Sequence, residues 1–288
     1  MLEHLNAIPE APARVVVLGA GGFVGGAIVK RLVADGVTCL PLTRKDVDLL
    51  APDAAARLGG VLLPTDRLVM VSAIAPARTV AMLGQNLRMA EAVCGALQSS
   101  PVAHVVYISS DAVYVDDANP VSETSCCQPS SLHGMMHAAR ELMLKTTVTT
   151  SLAVLRPSLL YGADDPHNGY GPNRFRRQAA KGETITLFGE GEEQRDHVFV
   201  DDVAALTALV LAHRSRGVLN VATGESTSFR RVAEMVTALA PRPGPIAGTP
   251  RQNPVTHRHF DVTACLKAFP AFRYTPLGEG LRRASGEV

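Results

Sequence analysis

His133 and His137 stand four residues apart in the segment His133-Gly134-Met135-Met136-His137-Ala138-Ala139-Arg140-Glu141. Residues at i and i+4 share one face of a helix, so both imidazoles would project into the same space. An imidazole with its unperturbed pKa of about 6.5 can exchange a proton near neutral pH without a helper. The same spacing also makes a workable pair of metal ligands, with Cys126 and Cys127 just upstream, although no Glu completes an HExxH motif. The hydroxyl-rich Ser109-Ser110-Asp111 is a second group able to do chemistry. A third is Gly19-Ala20-Gly21-Gly22-Phe23-Val24-Gly25, which follows the apolar Val15-Val16-Val17 and opens a stretch of helical spacing. Between a strand and a helix, such glycines make a tight turn and admit a pyrophosphate to the helix N-terminus.

These groups need elements to hold them. Short apolar runs at 14–18, 37–42, 68–74, 104–109 and 151–155 alternate with helix-like stretches, notably 79–97 and 135–145. The alternation predicts an α/β chain built on a doubly wound parallel sheet of the Rossmann kind. At the end of the second strand, where an acid would bond the ribose hydroxyls of NAD, the chain reads Leu42-Thr43-Arg44-Lys45. An Arg there can meet a 2′-phosphate with both arms of its fork, which leans the reading toward NADP over NAD; a solvated loop charge is the plainer alternative. Asp48 and Leu49 would then flank the adenine.

Beyond Gly162 the pattern changes to Asn168-Gly169-Tyr170-Gly171-Pro172-Asn173, a basic helix with Arg174, Arg176 and Arg177, and further strands at 185–188 and 197–200. A small C-terminal substrate-binding lobe is expected: 1–162 mainly dinucleotide-binding, 163–288 mainly substrate-binding, the two interwoven as one unit.

With 288 residues, 47% hydrophobic and 19% charged, the chain can bury a sizeable core, and a net charge of +1 supplies no field for nucleic acid. The first residues lack a basic start followed by an apolar stretch, and no apolar run reaches bilayer length, so a soluble, cytoplasmic protein away from membranes is expected. Five cysteines (Cys39, Cys94, Cys126, Cys127 and Cys265) without paired CxxC motifs fit free thiols.

The glycine turn, Asn86, Ser109 to Tyr114, Arg156 to Gly162, Phe188-Gly189-Glu190-Gly191, Arg195 to Asp202, Leu219 to Glu225, Asp261 and Pro276 to Leu281 occur in this order. Together they resemble the extended short-chain dehydrogenase/reductase family, in particular its nucleotide-sugar epimerases, dehydratases and ketoreductases. The resemblance implies cofactor contacts from Gly19, Gly22, Phe23, Val24, Gly25, Thr43, Arg44, Asp48, Leu49, Ser72, Ala73, Ser109 and His137. It implies that Ser110 bonds the reacting oxygen, that Asp111 and Asn173 meet the substrate, and that Arg195 grips its diphosphate. A homodimer built from 79–97 and 135–145 is also implied.

The chain departs from the pattern where that family carries Tyr-x-x-x-Lys, the proton donor and the ribose-binding cation. His133 and His137 stand there instead, with Gly134 and Glu141 keeping the register. Three readings follow: His133 is the general acid/base and His137 orients the ribose; the pair is inert and the chain is a dinucleotide-binding sensor or scaffold; or the pair binds metal. Ala112 replaces the Glu of the dehydratase triplet, which disfavours dehydration, and Leu159 replaces an Asn usual in the epimerases. The expected activity is NAD(P)-dependent 4-keto reduction or epimerisation of a nucleotide-linked sugar. Arg156-Pro157 keeps open a ketoreductase acting on another small carbonyl compound.

Overall fold

The computed structural model describes residues 2–116, 119–252 and 254–286. Its first half alternates β1 (Val15–Leu18), α1 (Phe23–Ala34), β2 (Cys39–Leu42), α2 (Ala54–Val61), β3 (Arg67–Met70), α3 (Val80–Ser99), β4 (His104–Ile108), α4 (Leu132–Thr147) and β5 (Ser151–Pro157). The second half adds β6 (Leu159–Tyr161), α5 (Pro172–Ala180), β7 (Ile185–Phe188), β8 (Gln194–Phe199), α6 (Val200–Ala212), β9 (Gly217–Val221), β10 (Ser226–Ser228), α7 (Phe229–Ala238), β11 (Ile246–Thr249), α8 (Thr263–Ala268) and α9 (Leu277–Ala284).

Six strands form one parallel sheet in the order β2-β1-β3-β4-β5-β9. Its centre is covered on both faces: Val15, Val16 and Val17 have no exposed surface. That is why these strands read as continuous apolar runs rather than alternating ones. One face packs on α1 and α6 through Ile28, Leu32, Val203 and Leu206, the other on α2, α3 and α4 through Leu58, Val93 and Leu144. The chain steps from β1 out to β2 and then back across β1 to β3. At that reversal the connections leave in opposite directions, opening a crevice at the C-terminal ends of the strands.

Sequence and structure differ at several edges. Helix α1 starts at Phe23, inside the glycine segment, because the turn leads directly into it from Gly22. The strand read over 68–74 ends at Met70, and the chain beyond it is held by Asn86, whose side chain accepts from the Ile74 amide and donates to the Ile74 carbonyl oxygen. Helix α6 and strand β9 return from the second half to the main sheet, while Tyr161, Phe175, Phe199, Phe229 and Leu281 form a separate aromatic-rich core beside it. Among the described residues no helix is long and apolar enough to cross a membrane.

Candidate active site

A cavity of about 1010 Å³ opens at the switch point. One end is made of backbone. Gly19 has φ +99°, a conformation that a side chain strains, and a Cβ there would lie 2.6 Å from the Ser72 amide nitrogen. A Cβ on Gly25 would lie 2.1 Å from the Gly19 carbonyl oxygen. The glycines therefore bring β1, the turn and α1 closer together than any side chain permits, leaving the N-terminus of α1 facing the cavity. The Ser72 hydroxyl is buried there without a partner among the described residues. A cradle with a helix N-terminus and an unsatisfied hydroxyl fits the diphosphate and ribose of a dinucleotide.

Of the residues expected to hold a cofactor, Gly19, Gly22, Phe23, Val24, Gly25, Thr43, Arg44, Asp48, Leu49, Ser72, Ala73, Ser109 and His137 all line this cavity. Around the end of β2, Asp46 accepts from the Thr43 amide and hydroxyl, and exposed Arg44 pairs with Asp48 at 3.2 Å. No carboxylate stands on Leu42 or Thr43 themselves.

The opposite end is made of side chains on β4 and α4. Two residues along a strand advance about 6.6 Å and four along a helix about 6 Å, so a pair on each can meet in register. Tyr107 on β4 and Ser109 just past its end do so with His137 and Glu141 on α4: Tyr107 Oη lies 2.7 Å from His137 Nδ1, and Ser109 Oγ donates to Glu141 Oε1 at 2.7 Å. Gly134 makes the approach of α4 possible, since a Cβ there would lie 1.9 Å from the Ala112 carbonyl oxygen. Ser131 caps the helix by accepting from the Gly134 amide at 3.1 Å.

Behind this face, Arg156 binds both oxygens of Glu141, at 2.8 and 2.6 Å, and donates to the Tyr114 hydroxyl, which in turn donates to Asn220. Burial works to raise the Glu141 carboxyl, but Arg156, with Ser109 and Lys145, outweighs it and holds the group below the usual carboxylate value. The network ties α4 to β4, β5 and β9.

His133 and His137 both line the cavity, their rings meeting edge to face with centroids 4.7 Å apart. Burial pushes the His133 imidazole below its ordinary value, and the neighbouring His167 adds to the shift. Burial also carries His137 well below the ordinary value, with His133 and Arg140 acting in the same direction. His137 is therefore a neutral hydrogen-bonding group at pH 7 and does not bring the charge of a lysine. The Ser110 hydroxyl borders the same space and caps the short turn Asp111–Val113 by accepting from Ala112.

The remaining expected residues are placed differently. Asp111 lines the cavity and is gripped by Arg258 at 3.2 Å; burial raises its carboxyl against that pull. Asn173 reaches the cavity wall, but its amide is spent on Gly162 and Leu160, holding the chain after β6 against α5. Arg195 is not among the lining residues: it pairs with Glu193 and donates to the carbonyl and hydroxyl of Thr256. Reading the sequence missed Tyr107, Arg140, His167 and Arg258. Tyr107 alone carried a signal, since it lies two residues before Ser109 and so shares its strand face. Among the described residues no group of three His, Cys, Asp or Glu is placed to hold a metal ion, and Cys126 and Cys127 are exposed free thiols.

The sequence profile of the NAD dependent epimerase/dehydratase family matches residues 15–222, most of the chain. The chain belongs to this family. Among relatives of the epimerase/dehydratase chain, the UDP-glucose 4-epimerase of Mycolicibacterium smegmatis is 29% identical over 312 aligned positions, covering 94% of this chain and 96% of the relative. Two solved structures share the fold at lower identity. One is the UDP-glucose 4-epimerase of Thermus thermophilus in complex with NAD, with a TM-score of 0.81, 23% identity and coverage of 95% and 98%. The other is a GDP-L-fucose synthetase from Naegleria fowleri bound to NADP, with a TM-score of 0.85, 16% identity and coverage of 99% and 96%.

Proposed function

We propose that this chain is an NAD(P)-dependent enzyme that epimerises a nucleotide-linked sugar, or reduces its 4-keto form, with His133 as the group that exchanges the proton. The observation that carries the reading is that His133, His137 and Ser110 border the same cavity as the glycine cradle. When bound, the nicotinamide supplies or accepts the hydride. The glycine turn and Ser72 would hold the cofactor's diphosphate and ribose, and Arg44 and Lys45 favour NADP at the other ribose. Ser110 would hold the reacting oxygen. His133, kept neutral by burial, takes the proton of a sugar hydroxyl and later returns it; that sequence closes an epimerase cycle without exchange with solvent. A net reductase must instead load a proton onto His133 at every turn.

The second half of the chain outside the main sheet would form the substrate lobe. Exposed Val80 on α3, and Met135 and Leu142 on α4, support a homodimer built on these helices, and five free thiols suit the cytoplasm.

The test is purified protein supplied with NADPH or NADH and a panel of nucleotide-4-keto-sugars, following the absorbance of reduced nicotinamide. Nucleotide sugars given with NAD are assayed separately for epimers, with His133→Ala alongside. Turnover by the wild type that falls about 10²–10⁴-fold in His133→Ala supports the reading. Oxidation of NADPH by non-sugar ketones alone would move the substrate class. Cofactor binding without any turnover would make the chain a dinucleotide-binding sensor or scaffold.

A further inference from the structure

Arg140 is fully buried, yet among the described residues it has no carboxylate within ion-pair distance. Nη2 donates to the Ser72 carbonyl oxygen at 2.7 Å, Nη1 lies 3.5 Å from Met136 Sδ, and Nε is buried with no partner among the described residues. The guanidinium stands 5.3 Å from the centroid of the Tyr107 ring. A permanent cation held by one carbonyl, one thioether and a ring is costly in a core. The next residue, Glu141, faces Arg156 instead.

Tyr107 completes the arrangement. Its hydroxyl has His137 Nδ1 as its one partner among the described residues, and burial pushes the phenol up to about 12, so it keeps its proton. Donation from the phenol to Nδ1 leaves no buried O–H without an acceptor, whereas the reverse direction would strand it; Nδ1 then accepts, and the imidazole proton sits on Nε2, away from Tyr107.

We propose that Tyr107 and Arg140 are positioning residues for His137, the histidine that stands against His133: Tyr107 fixes its ring as an Nε2–H donor, and the buried charge of Arg140, three residues along α4 and against the Tyr107 ring, opposes a second positive charge there. The inference rests on the proton-exchange role given to His133 above, because its function is to place a neutral donor beside that residue. The charged and titratable groups around the pair are Arg140 and Glu141 on α4, Tyr107 on β4, His167 after β6, and Cys94 on α3 beyond Arg140.

The experiment is two-bond ¹⁵N–¹H correlation spectroscopy of the full chain labelled at its histidines, with His137 assigned by His137→Asn. In the wild type, His137 is expected as the neutral Nε2–H tautomer. Tyr107→Phe should shift it to a mixture containing Nδ1–H, and Arg140→Met should make His137 protonate at a higher pH than in the wild type. Arg140→Lys keeps the charge and should leave that titration close to the wild type. An Nδ1–H tautomer in the wild type, or one unmoved in Tyr107→Phe, overturns the role of Tyr107. A titration unmoved in Arg140→Met overturns the role of Arg140, and if that variant does not fold, Arg140→Gln is titrated in its place. These spectra need neither cofactor nor substrate, so an inactive protein would sink the catalytic reading while the tautomer still judged this one.

Discussion

The two ends of the cavity are built from different materials. At the glycine turn the shape is set by main chain: a Cβ on Gly25 would approach another residue's carbonyl oxygen to 2.1 Å, and no rotamer relieves that. At the α4 face the shape is set by side chains that meet in register across β4, and there the chain carries two histidines where its resemblance expects Tyr and Lys. A backbone solution tolerates one residue type. A face built from side chains tolerates several, provided that Tyr107 bonds the new ring and Glu141 anchors the helix that carries it.

The sharpest way to break this comparison is Gly25→Ala. The added methyl group must separate the turn from α1, and dinucleotide binding is expected to weaken on the order of 100-fold or more, about 3 kcal/mol. Titration of NADPH and NADH by fluorescence checks this; affinity retained within a few-fold would show that the cradle can yield and that the contrast is overstated.

Next comes Arg156→Met, which leaves Glu141 buried without its fork. Removing one partner of a buried pair costs about 3–5 kcal/mol, read from urea unfolding. The sign of the pH dependence follows from the lowered Glu141 carboxyl. In the wild type this group's contribution is complete above the unfolded carboxylate value and is lost as pH falls through the lower folded one. In the variant only Ser109 and Lys145 still oppose burial, so the carboxyl rises toward or past its unfolded value and the loss of stability on acidification should shrink or reverse. If the comparison holds, the folded fraction of the variant still binds dinucleotide, because the cradle is built elsewhere.

How much of this was legible follows the same division. Gly19 to Gly25 could be read directly because few other residues fit a strand turning straight into a helix, and most of α4 could be read from spacing as 135–145, although the helix begins at Leu132, capped by Ser131, and so takes in His133 as well. Helix α2 went unread: Ala54–Val61 contains Gly59 and Gly60, poor helix formers, and close packing against α3 holds it, with Gly95 admitting Ala55. Arg195 was legible as a motif, but Thr256, which holds its guanidinium, is 61 residues further on. Likewise, nothing local announces that Arg140 is buried beneath Tyr107; that requires knowing which helix lies on β4.

A smaller effect separates the two chemistries open to the α4 face. Because burial lowers the His133 imidazole, a reaction that begins by taking a proton from a hydroxyl should keep its rate below pH 6.5, the ordinary value, and lose it only as pH falls through the lowered one. A reductase that needs His133 protonated should show the reverse, with its rate falling as pH rises through the same value. Profiles of kcat/KM in both directions decide this. A profile flat across the acidic limb would remove His133 from the proton transfer.

The smallest expected effect returns to the cradle and asks whether its outer edge is as rigid as its centre. Arg44 is largely exposed and pairs with Asp48 rather than with anything fixed by main chain, so its contact with a 2′-phosphate would be a side-chain contact in water. Arg44→Glu replaces a possible phosphate partner with a group that repels phosphate and can bond ribose hydroxyls instead. The ratio of NADPH to NADH affinity should fall about tenfold, about 1.4 kcal/mol, while NADH affinity stays near the wild-type value. An unchanged ratio would mean that Arg44 is a solvated loop charge. Cofactor choice would then fall to Thr43 or Lys45, and the cradle would be specific for the diphosphate alone.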